Sequence, residues 1–152
     1  MPTSWRIVKA AYAATAMDGE GARVNGGRWN SPGTALVYTA ESRALAALEL
    51  LAHLQSSEIL QSYVTIPVTF DAALIRSDDR ARLPAGWSAS PPPAALKRIG
   101  DLWAAEKRSA VLQVPSAIVP DEHNFLLDPA HPDFASVEVG EASAFRFDRR
   151  LR

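Results

Sequence analysis

The sequence predicts an α+β fold: a small, mostly antiparallel sheet with two main helices and long loops. Three observations carry this. Apolar residues alternate in many short runs punctuated by glycine and proline. Two stretches, "ESRALAALELLAHLQ" and "PAALKRIGDLWAAEK", are rich enough in good helix formers to be main helices. The spaced strand–helix rhythm of a doubly wound sheet is missing. The chain has 152 residues, which suits a single domain over 1–152 able to bury roughly two-thirds of its unfolded surface.

"SWRIVKA" reads as the first strand, with Trp5 and Ile7 on one face. Residues 13–34 carry five glycines and a proline without a clean period. They read as a long ordered loop, and such loops are usually functional. "ALVYTA" is a short strand. The helix over 41–55 follows, with Thr39 or Ser42 as cap and Glu41 in its first turn. "SYVTIPVTF" is a strand in which Pro67 marks an edge or a bulge. Residues 78–95, with Pro84, Gly86 and Pro91-Pro92-Pro93, form a connector to the second helix. "SAVLQVPSAIV" is a strand broken at Pro115-Ser116, and "NFLLDP", "SVEV" and "AFRFD" close the chain as short strands.

Composition removes several function classes. The absence of Cys excludes disulfides, thiolate metal sites and a cysteine nucleophile. No apolar run reaches the roughly 18 residues of a membrane span, and the chain reads as cytoplasmic. Sixteen Lys+Arg against seventeen Asp+Glu give a net charge of −1, which argues against nucleic-acid binding through a basic surface. The basic end "FRFDRRLR", with Arg146, Arg149, Arg150 and Arg152, reads as a solvated tail. No phosphate-binding P-loop occurs. Gly19 and Gly21 lack the third glycine of a dinucleotide fingerprint, where Val24 stands. His53, His123 and His131 have no metal-like spacing, so no metal is expected. Ser116 lacks the setting of a hydrolase nucleophile.

Glu49 is the most informative residue. With Leu45 set at 0° on a helical wheel, Glu49 falls at about 40° and the leucines surround the axis. A helix apolar almost all round is expected to be buried. Its carboxylate then needs a partner or a cleft, because a lone buried charge is costly. An ion pair with an arginine and a carboxylate aimed into a pocket both satisfy this. Arg28 follows Gly26-Gly27, which allow a tight turn or close approach to a ligand. Its guanidinium can grip phosphate, although an isolated arginine also serves as a surface or ion-pair residue. Tyr38 lies in the strand between them and suits a core aromatic equally. Together these spacings let a loop, a strand and a helix converge on one cleft.

The segment "GARVNGGRWNSPGTALVYTAESRALAALELLAHL", with "VPSAIVPDEHNFLLDP" downstream, resembles the RES domain. The arginine, glutamate and serine that name this family fall on Arg28, Glu49 and Ser116. The resemblance runs from "WRIV" to "HPDF" and departs at Asp128, where the family commonly has Asn. It implies the diphtheria-toxin type of ADP-ribosyltransferase fold and the role of toxin in a bacterial toxin–antitoxin pair. It implies NAD as substrate, either hydrolysed or phosphorolysed, or used to ADP-ribosylate a protein acceptor. The implied partner is a helix-turn-helix, Xre-like antitoxin that covers the NAD cleft. The mouth of that cleft is expected at the loop 19–33 and the connector 84–93.

By resemblance Arg28 binds the diphosphate or ribose, Tyr38 positions the nicotinamide and Glu49 faces the ribose. Ser116 bonds the nicotinamide or ribose or holds Glu49; as an isolated residue it is equally a turn-former after Pro115. Trp29 and Asn30 join the implied NAD-binding set, Arg6 is a further phosphate contact, and Asn124 braces a loop. The residue types suit the chemistry. Nicotinamide is already a cationic leaving group, and its departure leaves an oxocarbenium-like ribose. An anion near the ribose, a cation on the phosphates and an aromatic platform are what such a reaction needs.

Overall fold

The computed structural model describes residues 1–77 and 80–151. The first two positions of the expected connector and Arg152 of the basic tail lie outside them. The strands are β1 (Thr3–Lys9), β2 (Val37–Ala40), β3 (Tyr63–Thr69), β4 (Ile75–Ser77), β5 (Val111–Pro115), β6 (His123–Leu127), β7 (Glu138–Val139) and β8 (Ser143–Phe145). The α-helices among the described residues are α1 (Glu20–Asn25), α2 (Arg43–Leu51) and α3 (Ala94–Ala105). One sheet runs in the order β4-β5-β6-β2-β1-β3-β7, with β8 also pairing β3. Only β4 and β5 are parallel among these pairs. Parallel neighbours need a crossover, and α3 lies on the connection between them. The α+β class and the mostly antiparallel sheet agree with the sequence expectation.

The buried strands β5 and β6 explain why "AVLQV" and "FLL" read as nearly continuous apolar runs. Val111 and Leu127 pack in one core with Val37, Ile66, Val68 and Phe70. Their neighbours Leu112 and Leu126 pack in another, with Trp29, Leu36, Leu96 and Trp103. Successive side chains point to opposite faces, so a strand covered on both sides is apolar throughout. The second core fastens α3 and the glycine-rich loop to the sheet. A third joins Ile7, Ile59, Tyr63 and Phe147 to the inner face of α2.

Several expectations need correction. Residues 13–34 are not all loop: a 3-10 turn over Ala10–Thr15 and the six-residue α1 lie in the stretch 10–25. Helix α1 is held locally, by Asp18 accepting from the Glu20 N–H and by the Glu20–Arg23 pair. One and a half turns are too few to leave a periodic signal. Helix α2 is shorter than expected; Ser42 caps it by accepting from Leu45 N at 3.0 Å. Glu41 precedes the cap and accepts from the His123 N–H instead.

Nor is α2 buried. Leu45 is its one buried residue, while Leu48 is 44% exposed. An apolar surface is a necessary condition for burial, and here no element among the described residues covers the outer face, where Leu48 lies. Of the two readings of Pro67, the bulge holds and the edge does not. Pro67 lies inside the sheet, and the pairing of β3 slips by one residue across it, from Val68↔Val139 on β7 to Thr65↔Ser143 on β8, so that 140–142 face Ile66 and Pro67. The Pro67 carbonyl accepts from Gly140 N at 2.8 Å, and its missing N–H falls in this irregular stretch of the ladder. The strand β4 was not foreseen, because three residues leave no alternation to read.

Candidate active site

A cleft of about 840 Å³ opens between the glycine-rich loop, β1, β2 and α2, within the roughly 300–1,000 Å³ typical of small-molecule sites. Arg6, Arg28, Trp29, Tyr38 and Glu49 contribute to its wall. The loop side includes Gly19, Gly26 and Gly27, and the connector side includes Ser88, Ser90 and Pro92. From α2 the wall receives Ala46, Glu49 and Leu50, the i, i+3, i+4 stripe of one helical face, and Ala52 and His53 continue it just past the helix end.

Glu49 is half-buried and held by two donors. Ser116 Oγ donates to Oε2 at 2.9 Å and Asn124 Nδ2 donates to Oε1 at 2.7 Å. Burial raises its pKa above the ordinary 4.5; the bonds from Asn124 and Ser116 and the charge of Arg28 pull the other way, and Glu122 adds to the rise. The carboxylate forms no ion pair among the described residues. Two neutral donors orient it and leave its charge uncompensated at short range.

Ser116 is fully buried behind Glu49. Its Oγ also accepts from Ile118 N and Val119 N, both at 3.2 Å. The turn role and the Glu49-holding role therefore coexist in one hydroxyl. Asn124 was expected to brace a loop. It braces Glu49, and donates as well to Thr39 O at 3.2 Å. Its position on β6, directly across from Ala40 on β2, is what brings it there.

Tyr38 holds the loop together. Its O–H donates to Asn30 Oδ1 at 2.6 Å and accepts from Trp29 N at 3.0 Å. Burial raises its pKa, so the phenol stays protonated. Gly27 packs so closely that a Cβ there would meet the Tyr38 hydroxyl at 2.6 Å. Asn30 is fully buried, and its amide donates to the carbonyls of Ala22, Ser31 and Thr34. Those bonds make Asn30 a loop brace set away from the cleft wall. Trp29 is 2% exposed, and its bulk lies in the α3 core. Tyr38→Phe keeps the ring but strands the Trp29 N–H and the Asn30 Oδ1. We expect a loss of about 1–3 kcal/mol, read as a drop of several degrees in melting temperature; an unchanged Tm would show that the hydroxyl does not hold the loop.

Arg28 reaches across to the connector, donating from Nη1 to Trp87 O at 3.0 Å and Ala89 O at 2.7 Å. Arg6 is half-buried, with Nε on Ala16 O at 2.7 Å and Nη1 on Tyr38 O at 3.0 Å. Burial lowers its pKa and the charge of Asp18 opposes this. Sequence reasoning missed Lys97, which enters the cleft from α3 and donates to Gly27 O at 2.6 Å. Asp128, the departure from the resembled pattern, lies away from these groups. It is buried, pairs with Lys107 at 2.9 Å and accepts from Ala130 N at 2.9 Å.

The RES domain profile matches residues 3–148. The chain belongs to the RES domain family. Its relatives in this family include the Prs ADP-ribosylating toxin of Sphingobium sp. (strain YBL2), 40% identical over 99% of this chain and 98% of that protein. Toxin Res of Yersinia enterocolitica is 37% identical over 97% and 98%. Toxin Res of Pseudomonas putida is 35% identical, over 97% of each chain. Among solved structures, the toxin–antitoxin complex MbcT–MbcA of M. tuberculosis contains a chain that superposes with a TM-score of 0.73 at 21% identity, over 95% of this chain and 84% of that one. That likeness is one of fold. Glu49 and Arg28 line the same cleft, and Ser116 is hydrogen-bonded to Glu49 from behind it.

Proposed function

We propose that this RES domain is the toxin of a toxin–antitoxin pair and cleaves the nicotinamide–ribose bond of NAD, depleting the cofactor. The observation that carries this is the donor-held, partly desolvated Glu49 carboxylate on a cleft wall it shares with the cations Arg28 and Arg6. In the step itself the C1′–N bond breaks and its electron pair neutralises the nicotinamide. Glu49 stabilises the positive charge that develops on the ribose. Water then adds at C1′ and gives up a proton, yielding ADP-ribose; phosphate as acceptor yields the 1-phosphate. Arg28 grips the diphosphate or ribose, Arg6 adds a half-buried cation, and the Tyr38 ring supports the nicotinamide end. Trp29 backs the cleft wall from the α3 core. Ser116 and Asn124 act through Glu49, and Asn30 through the loop.

A second reading is favoured by the name of the Sphingobium relative, an ADP-ribosylating toxin. It breaks the same bond and delivers ADP-ribose to a protein. Incubating the purified protein with NAD, with and without phosphate, and identifying products by mass spectrometry tests the proposal. Intact masses of added proteins separate the second reading from the first. NAD unchanged after hours in every arm defeats both. On either reading the enzyme works in the cytoplasm, where NAD is held, and requires a restraining partner. We propose a small helix-turn-helix, Xre-like antitoxin seated over the cleft mouth, where Ile118 is 41% exposed.

Arg28→Lys keeps the charge but loses the planar fork that spans two acceptors. We expect roughly tenfold weaker binding of a non-cleavable NAD analogue by calorimetric titration, from hydrogen bonds to charged groups. Equal affinity would assign Arg28 to the connector alone.

A further inference from the structure

We propose that Lys97 is the second cation of the diphosphate-binding site, acting with Arg28 as a two-armed clamp; the proposal rests on NAD being the substrate. One face of α3 engages the backbone of the glycine-rich loop residue by residue. Lys97 Nζ donates to Gly27 O at 2.6 Å, Gly100 packs beneath the Trp29 carbonyl, and Asp101 Oδ1 accepts from Ser31 N at 2.9 Å. These are positions i, i+3 and i+4, a single helical face. Of the three, only Lys97 also lines the cleft. Gly100 and Asp101 have purely structural tasks there; Lys97 has a further surface.

The ammonium carries three donors, and its one hydrogen-bond partner among the described residues is Gly27 O. It forms no ion pair with any of them. Two N–H groups thus remain for a ligand. The anchor is rigid, because Gly27 is packed against the Tyr38 hydroxyl, which is itself bonded to Asn30 and Trp29. The residue after Gly27 is Arg28, and Lys97 and Arg28 both line the cleft, so positive charge reaches it from two elements. A diphosphate has oxygens on two adjacent phosphorus atoms and suits two cations held side by side. A single phosphate or a neutral nucleoside gains less from the pair.

The test uses Lys97→Met, which keeps the apolar stem, and calorimetric titration with ADP-ribose and with nicotinamide riboside, which has no phosphate. We expect ADP-ribose to bind roughly ten- to a hundredfold more weakly and nicotinamide riboside to bind as in the parent. NAD turnover should show a raised KM with kcat little changed. Uniform weakening of both ligands would reveal a displaced loop and overturn the clamp, as would unchanged ADP-ribose affinity. Failure of the parent itself to bind ADP-ribose would overturn the NAD reading and the clamp with it.

Discussion

Glu49→Gln is expected to abolish most NAD turnover while leaving the fold intact. The substitution is nearly isosteric and removes the charge that, on the proposed function, faces the ribose. Loss of one preorganised electrostatic group in other enzymes costs about 10²–10³ in rate, and we expect the same here. The stability consequence has the opposite sign from that of a paired carboxylate. Burial raises the pKa of Glu49 in the folded state. The ionised group therefore opposes folding at neutral pH, and this opposition is relieved as pH falls through the folded pKa. Removing the charge costs no electrostatic stability, so the melting temperature of Glu49→Gln at neutral pH should lie within a few degrees of the parent or above it. The same shift sets the pH dependence. Turnover needs the carboxylate, so kcat/KM should fall on acidification with an apparent pKa above the ordinary 4.5, and the Gln variant should lose that limb. Turnover within twofold of the parent, or a variant that fails to fold, would remove Glu49 from the chemistry.

The largest effect on stability is expected from Gly100→Ala. Helix propensity alone predicts a gain of about 0.8–1 kcal/mol for Gly→Ala inside a helix. Tertiary contact reverses the sign. A Cβ at Gly100 would stand 1.9 Å from the Trp29 carbonyl oxygen and 3.0 Å from its carbon. The oxygen belongs to the backbone of a loop fixed by the Tyr38 hydroxyl and by Asp101, so it cannot swing aside. Either α3 lifts off Leu112 and Leu126 or the loop gives way. We expect a cost of about 3 kcal/mol or more, seen as a fall of roughly 6–12 °C in Tm or as insoluble protein. Gly21→Ala is the control: it lies in α1 with nothing within 4 Å of its added Cβ. Equal melting temperatures for the two alanine variants would show that the α3–loop contact is not close in solution.

Local chemistry by itself determined much of this protein. Alternation marked β1 and β3, and short apolar runs marked β2, β5 and β6, because each strand's pattern is set by which faces are covered. Leucine and alanine density marked α2 and α3. The glycine pair, the arginine, the tyrosine and the glutamate marked the cleft, since Glu49 in an apolar helix raises a desolvation question that few arrangements answer. What the tertiary structure decided depends on elements distant in the chain. Asn124 orients Glu49 across 75 residues, and its role follows from the β2–β6 register. Lys97 serves the cleft because α3 lies along the loop that holds Arg28. Asn30 was expected at the substrate, but its polar groups are consumed by loop carbonyls and the Tyr38 hydroxyl, partners that no spacing reveals; of the roles expected of Ser116, the structure shows the one that holds Glu49. Helix α2 was expected inside and lies half outside. Hydrophobicity states what a surface would gain from burial, and only packing decides whether another element arrives to cover it.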